Sequence, residues 1–85
     1  MQPVEIEQIL KDALQLDEVY VKQEGSHYQV IAVSEQFAEL SRVQQQQRIY
    51  GPLNEKIQDG TIHALSIKAY TPDRWRREKA LNMPN

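Results

Sequence analysis

A chain of 85 residues, of which 40% are hydrophobic, can build one small domain with a modest core. The absence of cysteine excludes disulfides, a thiol nucleophile and a thiolate metal site supplied by this chain alone. The net charge is −2, no apolar run approaches the roughly 18 residues of a membrane-spanning helix, and the acidic start is unlike a signal peptide, so we expect a cytoplasmic protein without a membrane partner.

The first part of the chain predicts a helix followed by a β-hairpin. Apolar residues recur at helical spacing on one face, at Ile6, Ile9, Leu10, Ala13 and Leu14. Two β-prone runs, 19–21 and 28–33, flank a turn at Glu24-Gly25-Ser26. Because the turn is short, the two strands are expected to pair with each other.

The rest of the chain predicts two helices, a third strand and a last helix. Ser34 is suited to cap a short helix over 35–40, and residues 41–58 predict a longer one. Alternating apolar and polar residues predict a strand over 62–70. Thr71 as N-cap, with proline directly after it, predicts a helix over 72–80. The chain from about residue 81 is expected to fray.

The element order α-β-β-α-α-β-α predicts a single domain over residues 1–85. The expected class is α+β, a two-layer sandwich in which helices pack on one face of a three-stranded sheet. Trp75 is expected to pack against that sheet rather than to offer its ring to a ligand.

Charge is divided unequally along the sequence. Residues 1–41 carry two bases and eight acids, a net of −6, whereas residues 42–85 carry eight bases and four acids, a net of +4. Four of these bases cluster in the predicted last helix, at Arg74, Arg76, Arg77 and Lys79. They form either a solvated helix face or a docking patch for an acidic partner or a phosphate backbone.

His63 and His27 are the only two histidines in the sequence. An imidazole at the start of a strand is rigidly held and close to solvent, which suits a metal ligand or a general base. Two imidazoles cannot complete a zinc site, but they can supply half of a site shared with a partner. The alternatives are a structural histidine at 63 and an exposed turn residue at 27. Enzymatic activity is not expected, because the sequence offers neither a cysteine nucleophile nor a phosphate-binding glycine loop.

Several spaced motifs resemble those of the BolA family. The most specific is Ile62-His63-Ala64-Leu65-Ser66-Ile67, followed by Tyr70-Thr71-Pro72 and Trp75. Earlier matches are Ser26-His27-Tyr28-Gln29-Val30, Val33-Ser34-Glu35-Gln36-Phe37, Ser41-Arg42-Val43 and Gln47-Arg48-Ile49-Tyr50-Gly51-Pro52-Leu53. The run Tyr50-Gly51-Pro52-Leu53 most resembles a short bacterial member. The resemblance covers about residues 4 to 80 in order, without large gaps.

This resemblance implies a fold similar to the type II KH fold and a function in iron–sulfur chemistry. BolA proteins pair with monothiol glutaredoxins and share a [2Fe-2S] cluster with the partner's cysteine and glutathione, in iron–sulfur trafficking, iron homeostasis or stress response. The family's histidine at the start of the third strand corresponds to His63. Its second ligand comes from the hairpin loop, where His27 is the only candidate. A homodimer of the free protein is a further expectation.

The alternative function is that of a KH-like, nucleic-acid-binding transcriptional regulator. Its candidate residues are Arg42, Arg48 and Lys56 on the long helix. They are sparse for phosphate contacts, and the Gly-x-x-Gly loop with which KH domains clamp a nucleic-acid backbone is absent. Binding to DNA or RNA is therefore the weaker expectation.

Overall fold

The computed structural model describes residues 1–82. Within this range there are three α-helices, at Pro3–Leu14 (α1), Arg42–Gln58 (α2) and Pro72–Asn82 (α3), with a short 3-10 helix at Glu35–Glu39. The strands are Glu18–Glu24 (β1), His27–Val33 (β2) and Ala64–Tyr70 (β3). The predicted class and element order are confirmed. Among the described residues, no helix has the length and apolar character needed to cross a membrane.

The three strands form a mixed sheet in the order β1-β2-β3. β1 and β2 pair antiparallel through a tight turn, where Gly25 adopts a φ of 60° that favours glycine. β2 and β3 pair parallel, from His27 opposite Ala64 to Val33 opposite Tyr70. Parallel neighbours need a long crossover, which the 3-10 helix and α2 provide.

The two longer helices begin with side-chain caps and bury one apolar face. At the start of α1, the Gln2 backbone N–H donates to the Glu5 carboxylate at 2.9 Å. At the start of α2, Ser41 Oγ accepts from the Gln44 backbone N–H at 3.2 Å, and the Gln44 side chain accepts from the Ser41 N–H at 2.9 Å. This reciprocal capping fixes the start of α2. Both helices bury their apolar residues in the core, at Ile6, Leu10, Ile49 and Leu53.

Both faces of the central strand β2 are buried, because α3 packs on the face opposite α1 and α2. The sequence predicts all helices on one face. Tyr28, Val30 and Ala32 of β2 belong to the core formed with α1 and α2. Ile31 and Val33 point to the other face and pack with a second cluster that contains Tyr20, Tyr70 and Trp75. The expectation that every helix lies on one face is therefore wrong for α3, because the continuous apolar run 30–33 needs cover on both sides.

The predicted boundaries at the C-terminal end of the chain also shift. β3 begins at Ala64, so residues 62 and 63 precede the strand. α3 continues through Leu81 and Asn82, where fraying was expected to begin. The remainder of that predicted tail, residues 83–85, lies outside the described residues.

Candidate functional site

His27 is the first residue of β2 and follows the hairpin turn directly. The side chain of His27 is exposed. The neighbouring Tyr28 is buried on the face covered by α1 and α2, so the imidazole of His27 lies on the opposite face. Its Nε2 is 2.9 Å from the Oγ of Ser66, which lies on the adjacent strand β3. The parallel pairing of β2 with β3 therefore gives this loop-end histidine a side-chain partner.

His63 is exposed, although the chain on either side of it is anchored. The preceding Ile62 is only 1% exposed, and its backbone N–H donates to the Lys56 carbonyl at 3.0 Å, near the end of α2. The following Ala64 begins β3 and pairs with β2. These neighbours hold the backbone of His63 in place while its side chain remains accessible.

A small hydrogen-bonded turn leads the chain into this segment. Gly60 adopts a φ of 85°, and the backbone N–H of Thr61 donates to Asp59 Oδ1 at 2.8 Å. Hydrogen bonds from the Thr61 side chain and backbone N–H lower the pKa of the Asp59 carboxyl. The ionised carboxylate therefore supports the turn that precedes His63.

The two histidines lie at the same end of the sheet. His27 is paired with Ala64, the residue next to His63. Since paired strands are about 4.8 Å apart and consecutive α-carbons about 3.8 Å, the α-carbons of the two histidines are within about 9 Å. A groove of about 280 Å³ next to His27 is lined by Lys22, Glu24, His27, Gln29 and Ser66. His63 does not line it, so the two imidazoles share one end of the sheet without sharing this groove.

The described residues of this chain do not form a metal site by themselves. Within residues 1–82, no group of three or more His, Cys, Asp or Glu side chains is arranged to hold a metal ion. What this end of the sheet can contribute is two imidazoles, and any metal site there needs its remaining ligands from outside the chain. If His27 donates its Nε2–H to Ser66, its Nδ1 lone pair is the one left for a metal, and metal-binding histidines commonly donate their second ring N–H in this way.

The predicted docking residues of α3 are exposed but partly neutralised. Arg74 Nε lies 2.6 Å from Glu78 Oε2, and Arg76 forms an ion pair with Asp73. The helix retains four bases against two acids. Exposed ion pairs of this kind contribute little stability, so a partner's carboxylates can compete for these arginines.

The basic helix and the histidines are at different ends of β3. The guanidinium carbon of Arg74 lies 5.1 Å from the centre of the Tyr70 ring, at the C-terminal end of the strand. His63 precedes the other end, seven residues from Tyr70, which corresponds to about 23 Å of extended chain. A partner that contacts both Arg74 and the histidines must therefore span about 23 Å.

The candidate nucleic-acid residues are widely spaced on α2. Arg42 and Arg48 are six residues apart, which at 3.6 residues per turn places them about 120° apart around the helix. Arg48 also donates through Nη1 to the Gln36 side chain at 3.2 Å. Lys56 lies within about 40° of Arg42 around the helix but about 21 Å from it along the axis, so the three bases do not cluster.

An aromatic cluster on the second face of the sheet was only partly foreseen. The Trp75 ring centre lies 5.7 Å from that of Tyr20 and 5.3 Å from that of Tyr70, which confirms that Trp75 packs against the sheet. Tyr20 donates its hydroxyl hydrogen to Glu18, and this hydrogen bond raises the pKa of Tyr20, while burial raises that of Tyr70. Both phenols therefore remain neutral at physiological pH.

Ser66 is the residue of the site that the sequence interpretation did not single out. Its position two residues into β3, on the same face as His27, follows only from the register of the two strands. The sequence signal that could have identified Ser66 is the alternation of apolar and polar residues within 62–70. This pattern places Ser66 on the face opposite the apolar side chains of the strand.

Comparison with known proteins agrees with this architecture. Residues 4–74 match the family described as BolA-like protein. The chain belongs to the BolA-like family. It is 56% identical over 82 residues to the acid stress protein IbaG of Escherichia coli (strain K12), covering 96% of this chain and 98% of IbaG. It is 40% identical over 53 residues to the DNA-binding transcriptional regulator BolA of Haemophilus influenzae (strain Rd), covering 62% of this chain and 50% of that protein.

The fold is shared with solved structures of the same family. The solution structure of BolA1 from Mus musculus superposes with a TM-score of 0.79 at 28% identity, covering 98% of this chain and 75% of the mouse chain. The similarity to a short bacterial BolA-like protein, expected from Tyr50-Gly51-Pro52-Leu53, is confirmed by the match to IbaG. The two bacterial relatives carry the names of a stress protein and of a transcriptional regulator.

Proposed function

We propose that this BolA-like protein is a non-catalytic partner of a monothiol glutaredoxin. In this complex it supplies histidine ligands to a [2Fe-2S] cluster shared with the partner's cysteine and with glutathione. The role of the complex is iron–sulfur trafficking or iron homeostasis, or a response to stress. The observation that carries the proposal is the pairing of His27 with Ala64, which brings the only two histidines to one end of the sheet.

The number and type of ligands support a shared site rather than a resident one. A [2Fe-2S] cluster takes four protein-type ligands, and histidine replaces cysteine on one iron in Rieske centres. The chain has two histidines and no cysteine. The two remaining ligands must therefore come from outside, and thiolates of the partner and of glutathione complete the set.

The two histidines have different roles in this proposal. His63 is the principal ligand, because its backbone is fixed by Ile62 and by the start of β3 while its ring is exposed. His27 is the second ligand, oriented by its contact with Ser66. The bases of α3 attract the acidic surface of the partner, which accelerates association more than it increases final affinity.

The test uses the full chain and the monothiol glutaredoxin of the same cell, mixed with glutathione under anaerobic reconstitution. The complex should co-elute in size-exclusion chromatography and show the visible absorption of a cluster. His63→Ala should abolish or shift this spectrum while the free protein keeps its circular dichroism. Gln47→Ala, at an exposed position of α2, is the matched control. An unchanged spectrum with His63→Ala would remove His63 from the site.

His27 needs its own variants because its ligand role is less constrained. His27→Ala should leave a labile cluster, and His27→Cys should restore stability with an altered spectrum, since a thiolate replaces an imidazole. The same chromatography shows whether the free protein is a homodimer. If neither variant at position 27 changes the cluster, the fourth ligand comes from the partner or from a carboxylate such as Glu24.

Nucleic-acid binding is the second candidate, favoured by the name of the Haemophilus influenzae relative. The wide spacing of Arg42, Arg48 and Lys56 along α2 argues against it. Binding to DNA or RNA that weakens steeply with salt and is lost when these three residues are replaced by alanine, with no complex with glutaredoxin, would favour this candidate.

A further inference from the structure

The outer edge of β3 is a feature of the sheet that the proposed cluster site does not use. The sheet order β1-β2-β3 leaves β3 with a strand on only one side among the described residues. An edge strand presents backbone N–H and C=O groups that can pair with another extended chain. The availability of those groups at β3 depends on which residues point outward.

Two hydrogen bonds fix the direction of the backbone groups in β3. The Ile67 carbonyl accepts from the Gln46 side chain of α2 at 3.0 Å, so it points away from β2. The Tyr70 carbonyl accepts from the backbone N–H of Ser34, directly after β2, at 3.0 Å, so it points toward β2. Because the direction alternates along a parallel strand, Ile67 and Ala69 both present their N–H and C=O outward.

A groove runs along this part of the edge between α2 and α3. Its volume is about 500 Å³, within the range of sites that hold peptides or small molecules. Residues 67–70 form one wall, Arg42 and Gln46 contribute from α2, and Arg74 and Glu78 contribute from α3. The outward backbone groups of β3 therefore open into a space large enough for an extended chain.

The net charge of the groove favours binding of an acidic peptide segment. Three bases, Arg42, Lys68 and Arg74, line it with one acid, Glu78, a net charge of +2. The other edge of the sheet differs, because the Glu7 carboxylate of α1 accepts from the Val21 backbone N–H of β1 at 3.2 Å. An acidic segment is thus attracted to the β3 edge and repelled from the β1 edge.

We propose that the outer edge of β3 binds an extended acidic segment of a partner protein by strand addition. The segment forms backbone hydrogen bonds with Ile67 and Ala69 and carries acidic side chains on both of its faces, near Arg42 on the α2 side and near Arg74 on the α3 side. This inference goes beyond the proposed cluster site, since it involves neither histidine.

The side chain of Gln46 makes one hydrogen bond that a strand paired with the outer edge of β3 would make. In the free protein its amide donates to the Ile67 carbonyl, which a peptide N–H would do after binding. Val43 and Tyr50 are 64% and 38% exposed and lie within about 60° of Gln46 on the same side of α2. They can cover apolar side chains that the segment presents to the α2 side, next to the acidic side chain near Arg42.

The probe is a fluorescein-labelled octapeptide in which the block Glu-Glu-Val-Val occurs twice, so that both faces of the extended peptide carry glutamate and valine. Its binding to the full chain is measured by fluorescence anisotropy. Matched peptides carry lysine in place of glutamate, or N-methyl groups on every residue, which remove the N–H donors of both peptide edges. We expect the first peptide to bind, with losses of at least tenfold for both matched peptides. Amide resonances of Ile67 and Ala69 should shift on binding and exchange more slowly with solvent.

Two variants separate strand addition from simple charge attraction. Ala69→Pro removes an outward N–H without touching the ladder to β2, a position where edge strands tolerate proline, and should weaken binding at least tenfold. Arg42→Glu should weaken binding of the glutamate peptide and strengthen binding of the lysine peptide. This second variant tests the proposal even if the Ala69→Pro protein does not fold.

Each contrary outcome overturns the proposal. Equal binding of the N-methylated peptide shows attraction by charge alone. Resonance shifts confined to other parts of the chain place the peptide elsewhere. Displacement of the peptide by an oligothymidylate of equal length assigns the groove to nucleic acid. Loss of peptide binding on self-association, seen by sedimentation, assigns the edge to a second copy of this chain.

Discussion

The imidazole Nε2 of His27 lies 2.9 Å from the Oγ of Ser66, a contact between two strands across 39 residues of sequence. The two residues meet because β2 and β3 are parallel and adjacent. A hydroxyl at this distance restrains the rotation of the ring, whether it donates to Nε2 or accepts from its N–H. The contact therefore occupies Nε2 and leaves Nδ1 as the ring nitrogen available to a ligand.

Replacing Ser66 tests this positioning in the free protein. Ser66→Ala should change the ratio of the two neutral imidazole tautomers of His27 and increase the mobility of the ring, measured from its ¹⁵N chemical shifts and relaxation. Ser66→Thr retains the hydroxyl and suits a strand, so it should behave like the unmodified protein. Identical ring spectra for Ser66→Ala and the unmodified chain would show that the contact does not orient His27.

Reversing charge on α3 tests the docking patch. Arg77→Glu combined with Lys79→Glu should slow association with the glutaredoxin, and the effect should be larger at about 0.01 M than at about 0.15 M ionic strength because salt screens exposed charges. Lys11→Glu, an equally exposed change on α1, is the control. Association rates measured by stopped flow that respond to neither charge nor salt would make the patch ordinary solvated surface.

Removing the buried indole tests the second core. Trp75 is 1% exposed and packs between Tyr20 and Tyr70. Trp75→Ala should lower the free energy of unfolding by about 3–5 kcal/mol, measured by urea denaturation. Trp75→Phe should lower the free energy of unfolding by less, because an aromatic ring remains. The substitution also breaks no hydrogen bond, since the indole Nε1 has no partner within residues 1–82. Equal losses for both variants would contradict a role based on ring packing.

The Asp59 turn gives the stability of the protein a dependence on pH. Because the pKa of Asp59 is lower in the folded state, its stabilising effect is full above the unfolded pKa and is lost as the pH falls through the folded value. The unmodified chain should therefore exceed Asp59→Asn in stability at neutral pH, and the difference should shrink below about pH 4. Urea denaturation of both proteins across this range measures the effect, and a constant difference would exclude it.

The helices and the hairpin could be predicted from the sequence because their signals are local. Ser41 and Gln44 lie three residues apart in a capping box, and Gly25 occupies a turn that needs a positive φ. Apolar spacing in Ile6 and Leu10 was enough to identify the buried face of α1. In each case the residues that determine the structure lie within one or two turns of one another.

The site was harder to predict because it depends on contacts between distant parts of the chain. The two histidines were identified by residue type, but the partnership of His27 with Ser66 required the register of β2 against β3. The position of α3 was missed for a related reason. Apolar residues on both sides of β2 show that both faces of the strand are covered. They do not indicate that α3 is the helix that covers the second face, with Trp75.

The crossover between β2 and β3 also has a consequence for folding. His27 and Ala64 are paired although they are 37 residues apart, whereas the β1–β2 hairpin is closed by a single turn. Contacts of such different sequence separation form at different rates, so the hairpin can assemble early while β3 must wait for α2 to close the loop. The two histidines come together only at that late step, and a protein that binds both of them selects the chains that have finished folding.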